Sequence, residues 1–322
     1  MGIKILRQTI SSTSTEPLPP PTTEYGIIAC DRAGSMYVGD SSNSPVEQMS
    51  VKKYSQTSNP NLLDNTNFFN PINQRNQTSY SNTDAAPKYS IDRWQVLGGT
   101  FDVQTRTYTS NSTLGIYGNQ FRQYIPLESV SIGDTITVSS VINDTRQIFT
   151  TTIPQYRDTV ADAPFLLETT WGGFKMITRE AEHAALLTMV VNVSQSITVD
   201  WIKMEFGNFA TPYVPKGYGA ELAECMRYFV GGVGIGSAGI VSGSTFRVLI
   251  PTPVPMRTAP SVTVKVADNV VYNGTFKALN TTVSNITRQR NGIHLHIGMA
   301  ASGVNNYPGI AYGLQCDLSA DL

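Results

Sequence analysis

The segment Leu187-Thr-Met-Val-Val-Asn-Val-Ser-Gln-Ser-Ile-Thr-Val-Asp-Trp-Ile-Lys-Met-Glu-Phe206 contains two runs in which apolar residues occupy every second position. The first run ends at Ser194–Ser196. The second run begins at Ile197. Its apolar residues are odd-numbered as far as Trp201 and even-numbered from Ile202 onward, which is a change of parity. Alternation predicts β-strands, because successive side chains of a strand point to opposite faces. The change of parity predicts a β-bulge or a strand buried on both faces.

The composition of the whole chain favours the same all-β structure. Ser, Thr, Asn, Gly, Val and Tyr are abundant, and charged residues make up only 15% of the chain, against about 25% in an average globular protein. β-branched and aromatic residues suit the pleated surface of a sheet, and the 26 Gly and 18 Pro supply turns. Short strands at intervals of roughly 8 to 12 residues are typical of a β-sandwich.

The chain divides by pattern into four parts. Residues 1–60 are rich in Ser, Thr and Pro and predict an extended N-terminal attachment arm that carries one small hairpin around Asp31–Gly34. Residues 61–215 predict an antiparallel jelly-roll β-sandwich. Residues 216–232 predict a short linking helix, and residues 233–322 predict a second, C-terminal β-sandwich domain, the distal knob.

The linking helix is predicted from apolar residues at helical spacing. Leu222, Cys225, Met226 and Phe229 follow an i, i+3, i+4, i+7 pattern, and Gly231–Gly232 is expected to end the helix. The following Gly234–Gly239 segment has the letters of a dinucleotide-binding motif. It follows a helix and precedes a strand, the reverse of the order that such a motif needs, so we expect a flexible glycine link and no cofactor.

Charge, hydropathy and cysteine content exclude several classes of function. The formal net charge of −1 and the pI near 6.3 provide no excess of cations for a phosphate backbone, so we expect no nucleic-acid partner. No stretch has the length or apolarity of a membrane span, and the N-terminal residues do not resemble a signal peptide. The cysteines, Cys30, Cys225 and Cys316, are odd in number and widely spaced, which indicates neither disulfides nor a zinc site.

Several segments resemble a jelly-roll module common in phage tail and virion proteins. The resemblance rests on Asn61–Arg75 and Tyr89–Trp94 at the opening, and on Asp200–Gly207, Ala210–Pro215 and Glu221–Phe229 at the close. The order and spacing of these segments match across roughly half of the chain. At the C-terminal end, Val254–Pro260 and Leu318–Leu322 are similar to the terminal knobs of phage fibres.

The resemblance implies a bacteriophage tail-fibre or spike subunit located in the virion and assembled in the host cytoplasm. Such fibres are usually homotrimers whose distal domains bind host-surface carbohydrate. The N-terminal arm would then contact other virion proteins. The alternative expectation is a purely structural collar or decoration protein without a ligand.

The resemblance leaves two metal sites open. Paired His-x-His motifs occur in some fibre tips, and His294 and His296 lie on one face of a predicted strand. Two His on a polar sheet face are the preferred explanation of the pattern, and they need no metal. Calcium sites between the first and last strands of such jelly-rolls would draw on Asp64 and Glu205, which are otherwise an exposed pair of acids. We assign no metal to either pair.

Candidate glycan contacts are aromatic residues in polar loops, because a ring packs on the C–H face of a sugar while neighbouring polar groups bind its hydroxyls. Trp171 and Phe174 flank two glycines and are predicted to lie in such a loop. Asn305, Asn306 and Tyr307 form a second polar aromatic loop. Trp94 and Trp201 are expected in the core instead.

The chain is predicted not to be an enzyme. A polysaccharide depolymerase needs two carboxylates that face one cleft, roughly 5 to 10 Å apart. Carboxylates with suitable positions are present, but none belongs to a recognisable motif: Asp158, Asp162, Glu168, Glu180, Glu182 and Glu205. A depolymerase therefore stays a lesser alternative.

Overall fold

A computed structural model describes residues 9–10, 28–31, 36–38, 58–111, 116–266, 269–272, 275–289, 292–299 and 307–321. The chain forms two compact units. The first comprises Met1–Asn59 together with Thr211–Tyr213, and the second comprises Pro60–Ala210 together with Val214–Leu322. No helix in these described ranges has the length and apolarity to cross a bilayer.

The described strands of the first unit form a small sheet. Strand β1 (Thr9–Ile10) pairs in parallel with β2 (Ile28–Asp31), and β2 pairs antiparallel with β3 (Met36–Val38). The β2–β3 pair lies where the sequence predicts the hairpin. The remainder of the predicted arm before Ser58 lies outside the described residues.

Two six-stranded antiparallel sheets form the predicted sandwich. Their strands are β4 (Ser79–Asn82), β5 (Lys88–Tyr89), β6 (Trp94–Leu97), β7 (Gly99–Asp102), β8 (Thr107–Ser110), β9 (Gln120–Pro126), β10 (Thr135–Ile142), β11 (Thr145–Thr152), β12 (Leu167–Thr169), β13 (Gly172–Arg179), β14 (Ala184–Val191) and β15 (Ser196–Phe206). A short 3-10 helix, Ile116–Gly118, precedes β9. The sheet orders are β11-β10-β15-β8-β7-β4 and β12-β13-β14-β9-β6-β5. The all-β prediction is thus confirmed.

The parity change in β15 is a β-bulge. Val141 on β10 pairs with Trp201, and the next residue, Ile142, pairs with Val199, so Asp200 has no partner across the strand. The extra residue turns the following side chains over, and Ile202 becomes fully buried. The opening segment of the module lies beside this strand: Phe68 N donates a hydrogen bond of 3.0 Å to Asp200 O.

Stacked aromatic rings fill the centre of the sandwich core. Phe121 stacks on Trp94 with ring centroids 4.8 Å apart and on Phe101 at 4.7 Å. Phe68 packs against the same ring at 5.8 Å. The expectation that Trp94 is a core residue is confirmed, whereas Trp201 is only partly buried.

The helix α1 spans Tyr218–Met226 and ends three residues before Phe229, the last residue of the predicted apolar pattern. Cys225 is its buried residue, and burial raises the pKa of this thiol well above its ordinary value. Tyr228 and Phe229 follow the helix, and their buried rings lie against arginines of the sandwich. The helix thus ends before Gly231–Gly232, which the sequence predicted as its end.

The C-terminal domain is one antiparallel sheet that folds back on itself. Its strands are β16 (Phe229–Ser242), β17 (Thr245–Pro251), β18 (Ser261–Val266), β19 (Asn269–Tyr272), β20 (Thr275–Gln289), β21 (Gly292–Met299) and β22 (Tyr307–Ser319). The order is β16-β17-β21-β20-β19-β22-β18, and β22 also pairs with β16. This last pairing closes the sheet around its own apolar core, which includes Phe246, Leu295 and Leu318.

The predicted flexible glycine link is wrong. Gly234–Gly239 lies inside β16, which pairs with β22 on one side and β17 on the other. A side chain at Gly239 would collide with Arg247 O and with the ring of Phe246. Glycine is therefore present here because two strands and an aromatic ring approach the backbone closely, and not because the chain needs freedom to bend.

Candidate functional site

A surface groove of about 490 Å³ lies at one edge of the sandwich. One wall comes from the β10–β11 hairpin, at the edge of the first sheet, and the other comes from β12 and the turn after it, at the edge of the second sheet. Three apolar residues, Ile142, Ile148 and Leu167, contribute to the walls. The other lining residues are polar, charged or aromatic: Asn143, Thr145, Arg146, Gln147, Thr169, Thr170 and Trp171.

Two tight turns position these walls. Asn143 and Asp144 both have positive φ angles, 51° and 56°, as a two-residue hairpin turn with right-handed strand twist requires. The side chain of Asn143 accepts a hydrogen bond of 2.8 Å from Thr198 N and anchors this turn to β15. Gly172 has a φ of 134°, and a Cβ there would collide with Val190 O. Only glycine at this position lets the chain turn sharply after Trp171.

Three buried polar atoms in the walls have no hydrogen-bond partner among the described residues. They are Oε1 of Gln147, Oγ1 of Thr169 and Nε1 of Trp171. Each such atom costs about 1 to 3 kcal/mol when it is left unsatisfied. Most buried polar atoms in proteins have a partner, so the presence of three in one groove marks it as a place where a ligand would supply hydrogen bonds.

The three atoms together include acceptors and a donor. The carbonyl oxygen of Gln147 only accepts, the indole N–H of Trp171 only donates, and the hydroxyl of Thr169 does both. A ligand rich in hydroxyl groups satisfies all three, since each hydroxyl both donates and accepts. Because the atoms are buried, such a ligand first meets the exposed Thr145 and Arg146 at the rim.

Arg146 is the charged residue of the groove lining. Its side chain is exposed, and none of the described acidic residues forms an ion pair with it. Asp144 and Glu168 are close in sequence but do not line the groove. Arg146 therefore places at the rim of the groove a positive charge that is in no ion pair with a described carboxylate.

The prediction that Trp171 and Phe174 lie exposed in a glycine loop is wrong. Trp171 is 5% exposed and Phe174 is fully buried, and both belong to the sandwich core. Their rings meet edge to face with centroids 5.8 Å apart. The sheet edges close over these rings because Phe149 of β11 also packs on Phe174. Trp171 therefore does not present the face of its ring to solvent as a platform for a sugar.

The second predicted loop lies mostly beyond the described ranges. Asn305 and Asn306 are outside the described residues. Tyr307 is the first residue of β22, where it pairs with Val241 of β16. Tyr307 is not among the residues that line the Trp171 groove.

The histidine pair considered as a metal site lies in the C-terminal sheet. His294 and His296 lie on one face of β21, as predicted, and pair across the sheet with Leu249 and Arg247. Burial and the nearby Arg247 lower the pKa of His296. In the parts of the chain that the structure describes, no three His, Cys, Asp or Glu side chains form a metal-binding group.

The two acids considered for a calcium site, Asp64 and Glu205, form ion pairs with cationic side chains of the protein. Asp64 forms ion pairs of 3.2 Å with both Arg93 and Lys216, and Glu205 pairs at 3.2 Å with Lys203. Neither carboxylate is the exposed acid that the sequence indicated, because Glu205 is fully buried and Asp64 is largely so. These acids serve as counter-ions of buried or half-buried cations.

Most carboxylates considered for a depolymerase are at the surface. Asp158, Asp162, Glu168 and Glu180 are exposed, Glu182 pairs with Arg179, and Glu205 is buried. None of them lines the groove.

Sequence reasoning identified Trp171 but missed Gln147, Thr169 and Arg146. The alternation in β11 gives these residues no special signal, and only the packing of the two sheet edges brings them together. No protein-family model, curated protein or solved structure matches the chain.

Proposed function

We propose that this chain is a virion subunit of a bacteriophage, a fibre or spike protein that attaches the particle to a host-surface glycan through the Trp171 groove. Three residues that line one groove, Gln147, Thr169 and Trp171, each carry a polar atom without a partner among the described residues, and this observation carries the proposal. The groove volume of about 490 Å³ falls in the range of about 300 to 1,000 Å³ that is usual for ligand sites. The resemblance of the chain to phage virion proteins supports the setting.

Attachment by such a groove depends on several copies acting together. A single shallow sugar site binds weakly, but several sites on one rigid particle raise the effective affinity by a factor of about 10² to 10⁴. We propose a homotrimer, which would have about three times the 35.1 kDa mass of the chain. Light scattering of the full-length protein measures this mass directly, and a monomer would contradict the fibre assignment.

Glycan binding is tested with the full-length protein on an array of bacterial surface oligosaccharides. The wild type is expected to retain a subset of these glycans. Thr169→Val removes the hydroxyl and Gln147→Met removes the side-chain amide, each with little change of volume, and both are expected to weaken that retention at least several-fold. Thr152→Val, on the same strand as Gln147 but outside the groove lining, is the matched control and should bind as the wild type does.

The structural collar or decoration protein is the second candidate. Ile148 is 47% exposed on the edge strand β11, and an exposed strand edge is a ready surface for another chain. In that case the groove would be covered by a neighbouring subunit. An assembly that retains no glycan, and in which Ile148→Lys lowers the oligomer mass, would support this candidate against ours.

A depolymerase is the weaker alternative. It would release reducing ends from the bound polysaccharide, and substitution of carboxylates such as Glu168 and Glu182 would abolish that release. Our proposal expects glycan binding without any such release.

A further inference from the structure

We infer that the Trp171 groove selects anionic glycans, whose acidic groups pair with Arg146. The inference rests on the proposed glycan-binding function and names the class of ligand. Arg146 is the charged lining residue, it is exposed at the rim, and it has no acidic partner among the described residues. Every other lining residue is neutral.

The position of Arg146 suits a recognition role. It lies on β11 opposite Val141 and immediately before Gln147, whose carbonyl oxygen is one of the unsatisfied wall atoms. The two side chains leave opposite faces of the strand, and both residues line the groove. A sugar bound in the groove with an acidic substituent at the rim would bring that substituent within the range of the guanidinium. The planar guanidinium presents paired N–H donors that match the two oxygens of a carboxylate, and it also binds sulfate and phosphate esters.

Three other arginines of the sandwich have a contrasting, structural role. Arg75, Arg93 and Arg106 each form an ion pair with a carboxylate and lie over an aromatic ring. Those contacts hold the three guanidinium groups in fixed positions within the fold. Arg146 has an exposed head group on a hairpin that is already held by Asn143. Its charge is therefore not needed to hold the hairpin and is available to a ligand.

The experiment compares chemically matched ligands on immobilised full-length protein. The glycans retained by the wild type on the array are expected to carry carboxylate, sulfate or phosphate groups. Oligogalacturonides and their methyl esters form a matched pair that differs only in charge, and sulfated dextran and dextran form a second pair. These pairs distinguish a carboxylate preference from a sulfate preference.

Two variants test the residue itself. Arg146→Gln is expected to lower affinity for the retained anionic glycan at least tenfold, because a hydrogen bond to a charged group is lost. Arg146→Lys keeps the positive charge but lacks the paired N–H donors of the guanidinium. Its affinity should therefore lie between those of the wild type and Arg146→Gln. Arg247→Gln, an exposed arginine of the C-terminal sheet, makes the same charge change elsewhere and should leave affinity unchanged. Binding should also weaken as salt is raised.

The outcomes distinguish a failure of the anionic selectivity from a failure of the proposed glycan attachment. Retention of neutral glycans alone, or undiminished binding by Arg146→Gln, would overturn the anionic selectivity and leave glycan attachment intact. Retention of no glycan would overturn both. Binding of an extended peptide in place of every glycan would identify the edge strand β11 as a peptide-docking site and would also overturn both.

Discussion

Two clusters of buried polar groups in the second unit differ in how completely they are satisfied. At the groove, three wall atoms have no partner among the described residues. The other cluster, here called the junction cluster, comprises Gln74, Arg75, Asp92 and Asp321. There Arg75 pairs with Asp92 at 3.1 Å and with Asp321 at 2.8 Å.

The junction cluster joins the sandwich to the C-terminal sheet. The side-chain amide of Gln74 donates to Asp92 Oδ2 and to Phe229 O, both at 2.7 Å, and Arg75 lies 3.7 Å from the centroid of the Phe229 ring. One exception is Asp321 Oδ1, which has no partner among the described atoms. Polar groups that hold two elements together are matched almost atom for atom, whereas three atoms of the groove wall have no partner among the described residues.

The largest expected effect in this comparison comes from removing the central cation. Arg75→Ala leaves Asp92 and Asp321 buried without their ion pair, and we expect the free energy of unfolding to fall by about 3 to 5 kcal/mol. Denaturant unfolding followed by tryptophan fluorescence measures the change.

The control for Arg75 is an exposed ion pair between the same two parts of the chain. Glu128 and Arg257 lie 3.3 Å apart, and Glu128 is 61% exposed. Glu128→Gln should cost less than about 1 kcal/mol. Equal losses in the two variants would mean that the junction cluster contributes no more than a surface contact does.

The next largest expected effect is a pH dependence of the free energy of unfolding that arises from Asp92. Burial raises the pKa of this carboxyl from 3.8 to about 6, against the opposing effects of Gln74 and Arg75. The folded protein therefore holds this proton more tightly than the unfolded chain does. Its contribution to stability is complete below pH 4 and is lost as the pH rises to about 6. The loss is about 3 kcal/mol.

Asp92→Asn removes this titration. Unfolding free energies measured between pH 4 and pH 7 should therefore fall less steeply with rising pH in Asp92→Asn than in the wild type. Asp102 is a control of opposite sign, because hydrogen bonds from Thr105 lower its pKa. Its stabilisation is present above about pH 4 and is lost as the pH falls below that value, so Asp102→Asn should leave the slope between pH 4 and pH 7 as in the wild type and should change only the acid side of the profile. A wild-type slope unchanged by Asp92→Asn would contradict the buried-carboxyl account.

The smallest effect is expected at the groove itself. Thr169→Val removes an unsatisfied hydroxyl, so stability should stay unchanged or rise by up to about 1 kcal/mol. Thr178→Val is the matched control on the next strand. The hydroxyl of Thr178 donates to Pro154 O at 2.7 Å, and its removal should cost about 1 kcal/mol. Thermal unfolding of both variants measures the difference. A comparable loss in Thr169→Val would show that its hydroxyl has a structural partner.

The local sequence pattern was sufficient to predict strands such as β14 and β15, because the alternation of apolar residues depends only on neighbouring positions. The runs around Leu187 and Ile197 became β14 and β15, and the parity change at Trp201 became the bulge at Asp200. The pattern failed at Gly234–Gly239, where composition indicated a link and the structure has the long strand β16. A glycine required by close packing has the same letter as a glycine required by a turn.

The sequence by itself determined that this chain is an all-β protein with one short helix, since strand periodicity and turn residues are local properties. Only the tertiary structure decided that Trp171 is buried, that Gln147 and Thr169 share a groove with it, and that Arg75 joins two carboxylates from distant parts of the chain. Contacts between such distant positions depend on which strands become neighbours, and strand order is not encoded in any short stretch of sequence.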